Sequence, residues 1–297
     1  MGPKPDEIVS CALQALHEMG LPVGERVGEE ILAWAQVWRG WKGRSVTAFR
    51  SAADVGVKLI ADSFAVVYAV QLGEDEVCCD IGSGNGWPGL ALKLWRPSIR
   101  LVLVDARKSS CEFVSAAVRS MALNDVAVWH RRAELVGRDP RTREAFSTVV
   151  SRAAGRVPVM LEVGAPLVRP GGKLVLWLGP GTAASECAGV LEAVNELDSL
   201  GLSVPELKSY SLPGGHGRRV LAVYAKEHPS ERRFPRTVKA IRTRPLLRGG
   251  EGRAVGLETD RKGCGNILGG RSRGRAGESS DGRWKDGQNF SKGDLQP

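Results

Sequence analysis

The chain has 297 residues, 42% of them hydrophobic, enough for one large domain with extensions or two small ones. Its net charge of +9, from 42 Lys and Arg against 33 Asp and Glu, favours a polyanionic partner such as RNA or DNA over an acidic one. Six cysteines without a C-x-x-C pair argue against a zinc site or a disulfide frame and fit free thiols in a reducing cytosol. No apolar run reaches transmembrane length, and Gln14, His17 and Glu18 interrupt the N-terminal apolar residues, so neither a membrane span nor a signal peptide is expected.

In chain order, Glu7 to Met19 carries Ile8, Cys11, Ala12, Ala15, Leu16 and Met19 at helical spacing, with Gly20 as a stop and Pro22 beyond it. Glu25 to Trp38 reads as a second amphipathic helix. It begins an aromatic stripe, Trp34, Trp38 and Trp41, at i, i+4 and i+7. Such a stripe is either a core face or a stacking platform for bases, and the core face is the expected use. Ala52 to Val70, containing Lys58, Asp62 and Ser63, reads as a third helix, so residues 1–72 are expected to form a helical cap.

From Val77 the pattern alternates. Strands read at 77–81, 100–104, 126–129, 147–151 and 173–178, and helices at about 87–95, 108–121, 156–167 and 182–197. Two extended stretches, 205–211 and 219–225, lack a helix between them and read as an antiparallel pair. The fold class is α/β, with a mostly parallel sheet covered on both faces over residues 73–247. Cys78 and Cys79 should point to opposite faces of the first strand. Glu227 to Arg248 is basic, with Arg232, Arg233, Arg236, Lys239, Arg242, Arg244 and Arg248, and Pro235 and Pro245 keep it from being one long helix. It serves equally well as a phosphate-binding strip or as a solvated segment. Residues 248–297 are Gly-, Arg- and Ser-rich and are expected to be a disordered tail.

The stretch Asp80-Ile-Gly82-Ser83-Gly84-Asn-Gly86-Trp87-Pro-Gly89 lies where the first strand turns into a helix. Glycines there let a ligand approach the backbone. A second acid, Asp105, ends the next strand, where a carboxylate holds the hydroxyls of a ribose. Gly84-x-Gly86-x-x-Gly89 fits the dinucleotide fingerprint and keeps an NAD-binding oxidoreductase open as an alternative. An acid at the strand end followed by Gly-x-Gly-x-Gly resembles instead the first motif of S-adenosylmethionine (SAM) methyltransferases. Ligands bind at the carboxyl ends of such strands, and Asp80, Asp105, Arg132 to Glu134 and Ser151 to Ala153 all fall there. The four histidines show no metal-ligand spacing, and no metal is expected.

Residues 8–247 resemble the RsmG (GidB) family, bacterial methyltransferases acting on N7 of a loop guanine in 16S rRNA. The resemblance rests on the Trp-rich helix followed by Thr47, on Lys58-Leu-Ile-Ala-Asp62-Ser63, on the glycine stretch with its trailing Pro-Gly89, on Val150-Ser-Arg152-Ala153, and on Arg233-Phe-Pro-Arg236 with Pro245-Leu246. It implies a class I, Rossmann-like methyltransferase fold with a seven-stranded sheet and an N-terminal extension. It also implies SAM as cofactor, held by Asp80, Gly82, Ser83, Gly84, Gly86, Trp87, Asp105 and Ala106, with Ala133 and Glu134 flanking the adenine and Arg152 at the junction with substrate. Arg152 and Arg132 would be the catalytic pair of basic groups, and 16S rRNA or the small subunit the partner of a cytoplasmic monomer. Several positions depart from the family pattern: Leu59 stands for a His, Ser109 and Ser110 for a Lys-Arg pair, Leu178 for a Lys, and Ala240-Ile241 where a Gly-x-Pro follows the final Pro-Arg. These departures raise the alternative of a degenerate paralogue that binds SAM or rRNA without transferring methyl.

Overall fold

The computed structural model describes residues 2–152, 154–178, 194–244 and 246. Two N-terminal helices, α1 (Pro5–Glu18) and α2 (Glu25–Gly40), lead into a π-helix, Asp54–Ala61, continued by short turns to Tyr68. The third helix read from the sequence is thus present but wound wider than an α-helix, a difference the apolar spacing of so short a stretch does not reveal. At Gly56 it lies so close to α1 that a Cβ would come within 2.7 Å of the Cys11 Cβ.

The sheet has seven strands in the order β3-β2-β1-β4-β5-β7-β6. β1 (Val77–Ile81), β2 (Arg100–Asp105), β3 (Val126–His130), β4 (Phe146–Arg152) and β5 (Val168–Leu178) run parallel. β6 (Glu206–Leu212) and β7 (Gly217–Ala225) form a hairpin, and β7 pairs antiparallel to β5. The connecting helices are α3 (Gly89–Trp95), α4 (Lys108–Ser120), α5 (Ala133–Val136), α6 (Val157–Gly164) and α7 (Val194–Leu200), with α8 (Val238–Thr243) after the sheet. An antiparallel strand between β5 and β6 separates this sheet from the all-parallel dinucleotide-binding order and removes the structural ground for the NAD reading.

β1 is buried along its whole length, which is why it reads as an unbroken apolar run broken only by Asp80. Cys78 joins the core on one face, with the cap, α3 and α4; Cys79 joins the core on the other, with α5, α6, α7 and Phe234. Burial pushes the Cys78 thiol up to about 12, as suits an inert packing residue. Cap and sheet share one core rather than meeting at a polar seam. Trp34 is fully buried there, with its ring edge-on to Trp87 and to Phe113, both at 5.9 Å. Truncating such an indole costs about 3–5 kcal/mol.

β5 begins at Val168, five residues before the apolar run that marks it, because Gly171 and Gly172 still exchange backbone hydrogen bonds with Lys226. The segment after β7 is anchored at Ser230 and at Phe234 to Arg236, while the side chains of Arg232, Arg233, Lys239, Arg242 and Arg244 stay exposed. Arg236 makes a two-pronged ion pair with the buried Glu162 of α6, at 2.7 and 2.6 Å. Arg143 donates to the carbonyls of Phe234 and Ser230, at 2.6 and 2.8 Å. Most of the helix read at 182–197, and all of the tail from 248 onward, lie outside the described residues.

Candidate cofactor cradle and its arginine

Strand order reverses between β1 and β4, so the crevice outside the carboxyl ends of β1, β2 and β4 is the place for a ligand. The glycine turn after β1 forms its floor. Gly82, Gly84 and Gly86 all have positive φ, at 71°, 54° and 96°. A Cβ at Gly82 would collide with the Cβ of Ala154 at the end of β4, so only glycine lets the turn pass beneath β4. At Gly84 a Cβ would find nothing nearer than 3.6 Å, and that side of the turn is open to a ligand.

Both acids read from the sequence face this turn. Asp105 accepts the Gly84 N–H at 2.9 Å and the Arg107 N–H at 2.7 Å, which fixes the orientation of its carboxylate. Asp80 is fully buried, and one oxygen accepts the Gly89 N–H at 2.8 Å. Its other oxygen is buried without a partner, as is the hydroxyl of Ser83. Burial pushes the Asp80 carboxyl up to about 7, opposed by the Gly89 N–H and by the charge of Arg152. A half-satisfied buried acid beside three positive-φ glycines fits a ligand that is cationic near Asp80 and carries a diol near Asp105. The amino and sulfonium groups and the ribose of SAM have that pattern.

The remaining site residues are distributed unevenly. Trp87 points inward, only 3% exposed, packed on Trp34 and on Phe64 at 6.1 Å, so its ring supports the turn from below. Ala106 is joined to the end of β3 by a 3.1 Å hydrogen bond between its carbonyl and the ring of His130. Ala133 and Glu134 open α5, one strand further out, where Glu134 pairs with Arg132 at 3.0 Å. Arg132 is therefore held by its neighbour and does not meet Arg152 among the described contacts.

Arg152, at the end of β4, is gripped by the cap. Its guanidinium donates to the Leu59 carbonyl at 3.0 Å and to Asp62 at 3.1 Å. The other carboxylate oxygen of Asp62 accepts from the Tyr210 hydroxyl at 2.6 Å, and the Asp62 carbonyl accepts from Trp177 at 3.1 Å. Burial and the Asp62 charge push the Tyr210 phenol far above its usual range, so it remains a donor. The Asp62-Ser63 pair carried a signal in the sequence only through the family resemblance. Tyr210 and Trp177 carried none, being 148 and 115 residues from Asp62.

The profile of rRNA small subunit methyltransferase G (GidB) matches residues 32–207. A Ribosomal RNA small subunit methyltransferase G of Carboxydothermus hydrogenoformans is 37% identical over 202 residues, 68% of this chain and 84% of that one. The protein of the same name from Geobacillus kaustophilus is 28% identical over 232 residues, 78% of this chain and 96% of that one. An rRNA methylase structure from Streptococcus thermophilus superposes only loosely, with TM-score 0.40 and 18% identity over 56% of this chain and 93% of that one. The fold assignment therefore rests on the strand order itself. With a glycine cradle at the switch point and sequence matches of this length, the chain belongs to the GidB family, rRNA small subunit methyltransferase G.

Proposed function

We propose that this protein transfers a methyl group from SAM to N7 of a guanine in 16S rRNA. The observation that carries the reading is the cradle: three positive-φ glycines, an Asp80 oxygen buried without a partner, and Asp105 fixed at the end of β2. Asp80, Ser83, Gly82, Gly84 and Gly86 would hold the methionine end and Asp105 with Ala106 the ribose, while Ala133 and Glu134 would flank the adenine. Bound SAM supplies an activated methyl on a sulfonium. Guanine N7 carries its own free lone pair, so the chain needs no general base. What the chain contributes is alignment and exclusion of water. Arg152, fixed by Asp62 and Leu59, would orient the guanine or its phosphate, and Arg132 would be a second basic group toward the RNA.

Three of the positions that depart from the family pattern point no side chain into the cradle. Leu59 offers its backbone carbonyl, not its side chain, to Arg152, and Leu178 and Ser110 are buried in the fold. Arg107 stands beside Gly84, where it can replace the missing basic pair. This supports an active enzyme over a silent paralogue. We further read residues 1–72 as a cap on a methyltransferase unit ending near 247, working as a monomer in the cytoplasm. No helix among the described residues is long and apolar enough to cross a membrane.

The test is methyl transfer from radiolabelled SAM to deproteinised small-subunit rRNA, and to small subunits from a strain lacking its own enzyme, with mapping of N7-methylguanine. Label confined to one loop guanine is the expected result. No label, with SAM binding intact by calorimetry, would convert the reading to a binder without transfer.

A further inference from the structure

The aromatic stripe read as a core face is divided by the structure. Trp34 is fully buried, but Trp38 and Trp41 are only partly so, and both line an open cavity of ≈ 250 Å³ together with Gly2 and Pro3 before α1 and Arg39, Gly43, Ser45 and Val46. The two indoles are backed by the core. Trp38 stacks on Trp34, with planes 10° apart and centroids 6.2 Å apart. Trp41 meets Phe113 edge-on at 5.4 Å and donates its indole N–H to the Arg44 carbonyl at 3.2 Å. Gly43 crosses the indole so closely that a Cβ would sit 2.5 Å from the ring nitrogen. Rings held this way offer a fixed apolar surface at little entropic cost.

The loop around them, residues 39–50, reads RGWKGRSVTAFR, four cations and no acid. Arg39, Lys42, Arg44 and Arg50 are exposed, and none forms an ion pair with a described residue. Cations nearby on other elements do pair, as Arg26 does with Glu30, Lys58 with Asp54, and Lys108 with Glu112. The acids closest in sequence to the cavity rim, Asp6 and Glu7, sit in the first turn of α1, and Glu7 caps that helix at the Lys4 N–H. The cavity also adjoins the cradle. The Val46 carbonyl accepts from the Asn85 side chain at 3.3 Å, the Asn85 carbonyl accepts from Trp34 at 3.0 Å, and Asn85 lies between Gly84 and Gly86. Exposed Arg107 extends the positive surface to the cradle's edge.

Backed aromatic faces inside unpaired cations are what an unpaired nucleotide strand needs: stacking for a base and charge for its phosphates. We infer that the 39–50 loop is an RNA-docking surface. An unpaired base next to the target guanine seats against Trp38 and Trp41, and the adjoining phosphates cross Arg39, Lys42 and Arg44. The inference rests on the rRNA methyltransferase reading and adds to it the surface that holds the strand.

The experiment uses the full chain, a short fluorescein-labelled single-stranded RNA, the matching duplex, and deproteinised small-subunit rRNA. Arg39→Gln, Lys42→Gln and Arg44→Gln together alter only exposed side chains and should leave SAM affinity unchanged. Three lost phosphate contacts should flatten the log–log salt dependence of single-strand binding by about 2, at about 0.7 per contact. KM for rRNA should rise while kcat holds. Trp38→Ala should weaken single-strand binding about fivefold or more, with Trp38→Phe restoring most of it. Preference for the single strand over the duplex is part of the expectation. A triple variant with wild-type affinity and salt slope, or equal binding of the duplex, overturns the docking surface while wild-type methylation continues. Absence of rRNA methylation by the wild type overturns the underlying reading instead.

Discussion

Asp80→Asn should stabilise the fold and harm ligand binding, and the two effects should part with pH. The Asp80 side chain is fully buried, with one oxygen on the Gly89 N–H and the other without a partner. Burial moves its carboxyl from the ordinary 3.8 to about 7. At 1.36 kcal/mol per pH unit, that gap is an upper bound of about 4 kcal/mol by which the native state prefers the neutral form. The folded-state value lies above the unfolded one, so the stabilising contribution of the protonated acid is complete below about pH 4 and is lost as pH rises through 7. Asparagine is neutral throughout and still offers an oxygen to Gly89. The variant should therefore lead the wild type by about 1.6 kcal/mol at pH 5 and by about 4 kcal/mol near pH 8, where it melts higher by roughly 10 °C if the full penalty is relieved. Asp139, held down to about 2 by Arg141, stays charged across this range, and Lys226, lowered to about 8 by burial, is common to both proteins and cancels in the difference. Calorimetry should show SAM affinity lower by about tenfold or more in the variant, since a charge-assisted contact is lost. Thermal melts of both proteins in parallel buffers decide the matter. Curves that stay parallel from pH 5 to pH 8 would refute the argument that burial penalises this carboxylate.

Three other substitutions probe the frame around the cradle. Gly82→Ala places a Cβ against Ala154 at a φ of 71°, so it should cost about 2–4 kcal/mol and abolish SAM binding; unchanged calorimetry would mean that β4 does not close over the turn. Glu162→Gln strips the partner from Arg236, whose side chain is 26% exposed, and should lower stability by about 3 kcal/mol while SAM affinity is retained; an unshifted melt would show that the segment after β7 is not anchored there. Tyr210→Phe removes the donor to Asp62 and should raise KM for rRNA with the SAM Kd unchanged, at about 1.5 kcal/mol or more of stability. Kinetics and melts identical to wild type would show that Arg152 is held without it.

What the sequence discloses, and what it conceals, follows from the range of the forces involved. The cradle is legible because backbone geometry is a local constraint. The turn needs glycine at Gly82 and Gly86, where φ is 71° and 96° and a Cβ would collide, and an acid at a strand end stands out in a run of Val and Cys. The parallel strands are legible because burial on both faces leaves only apolar choices. The π-helical winding of 54–61 and the early start of β5 are not, since each depends on what packs alongside: α1 at Gly56, and Lys226 at Gly171 and Gly172. Charge is the least legible of all. Arg236 reads as a candidate phosphate ligand until Glu162, 74 residues away, is seen to hold it. Arg39, Lys42 and Arg44, in contrast, form no ion pair among the described residues. Arg152 combines the two cases. Asp62 holds it by direct contact, and its charge opposes, without reversing, the upward push that burial gives the Asp80 carboxyl.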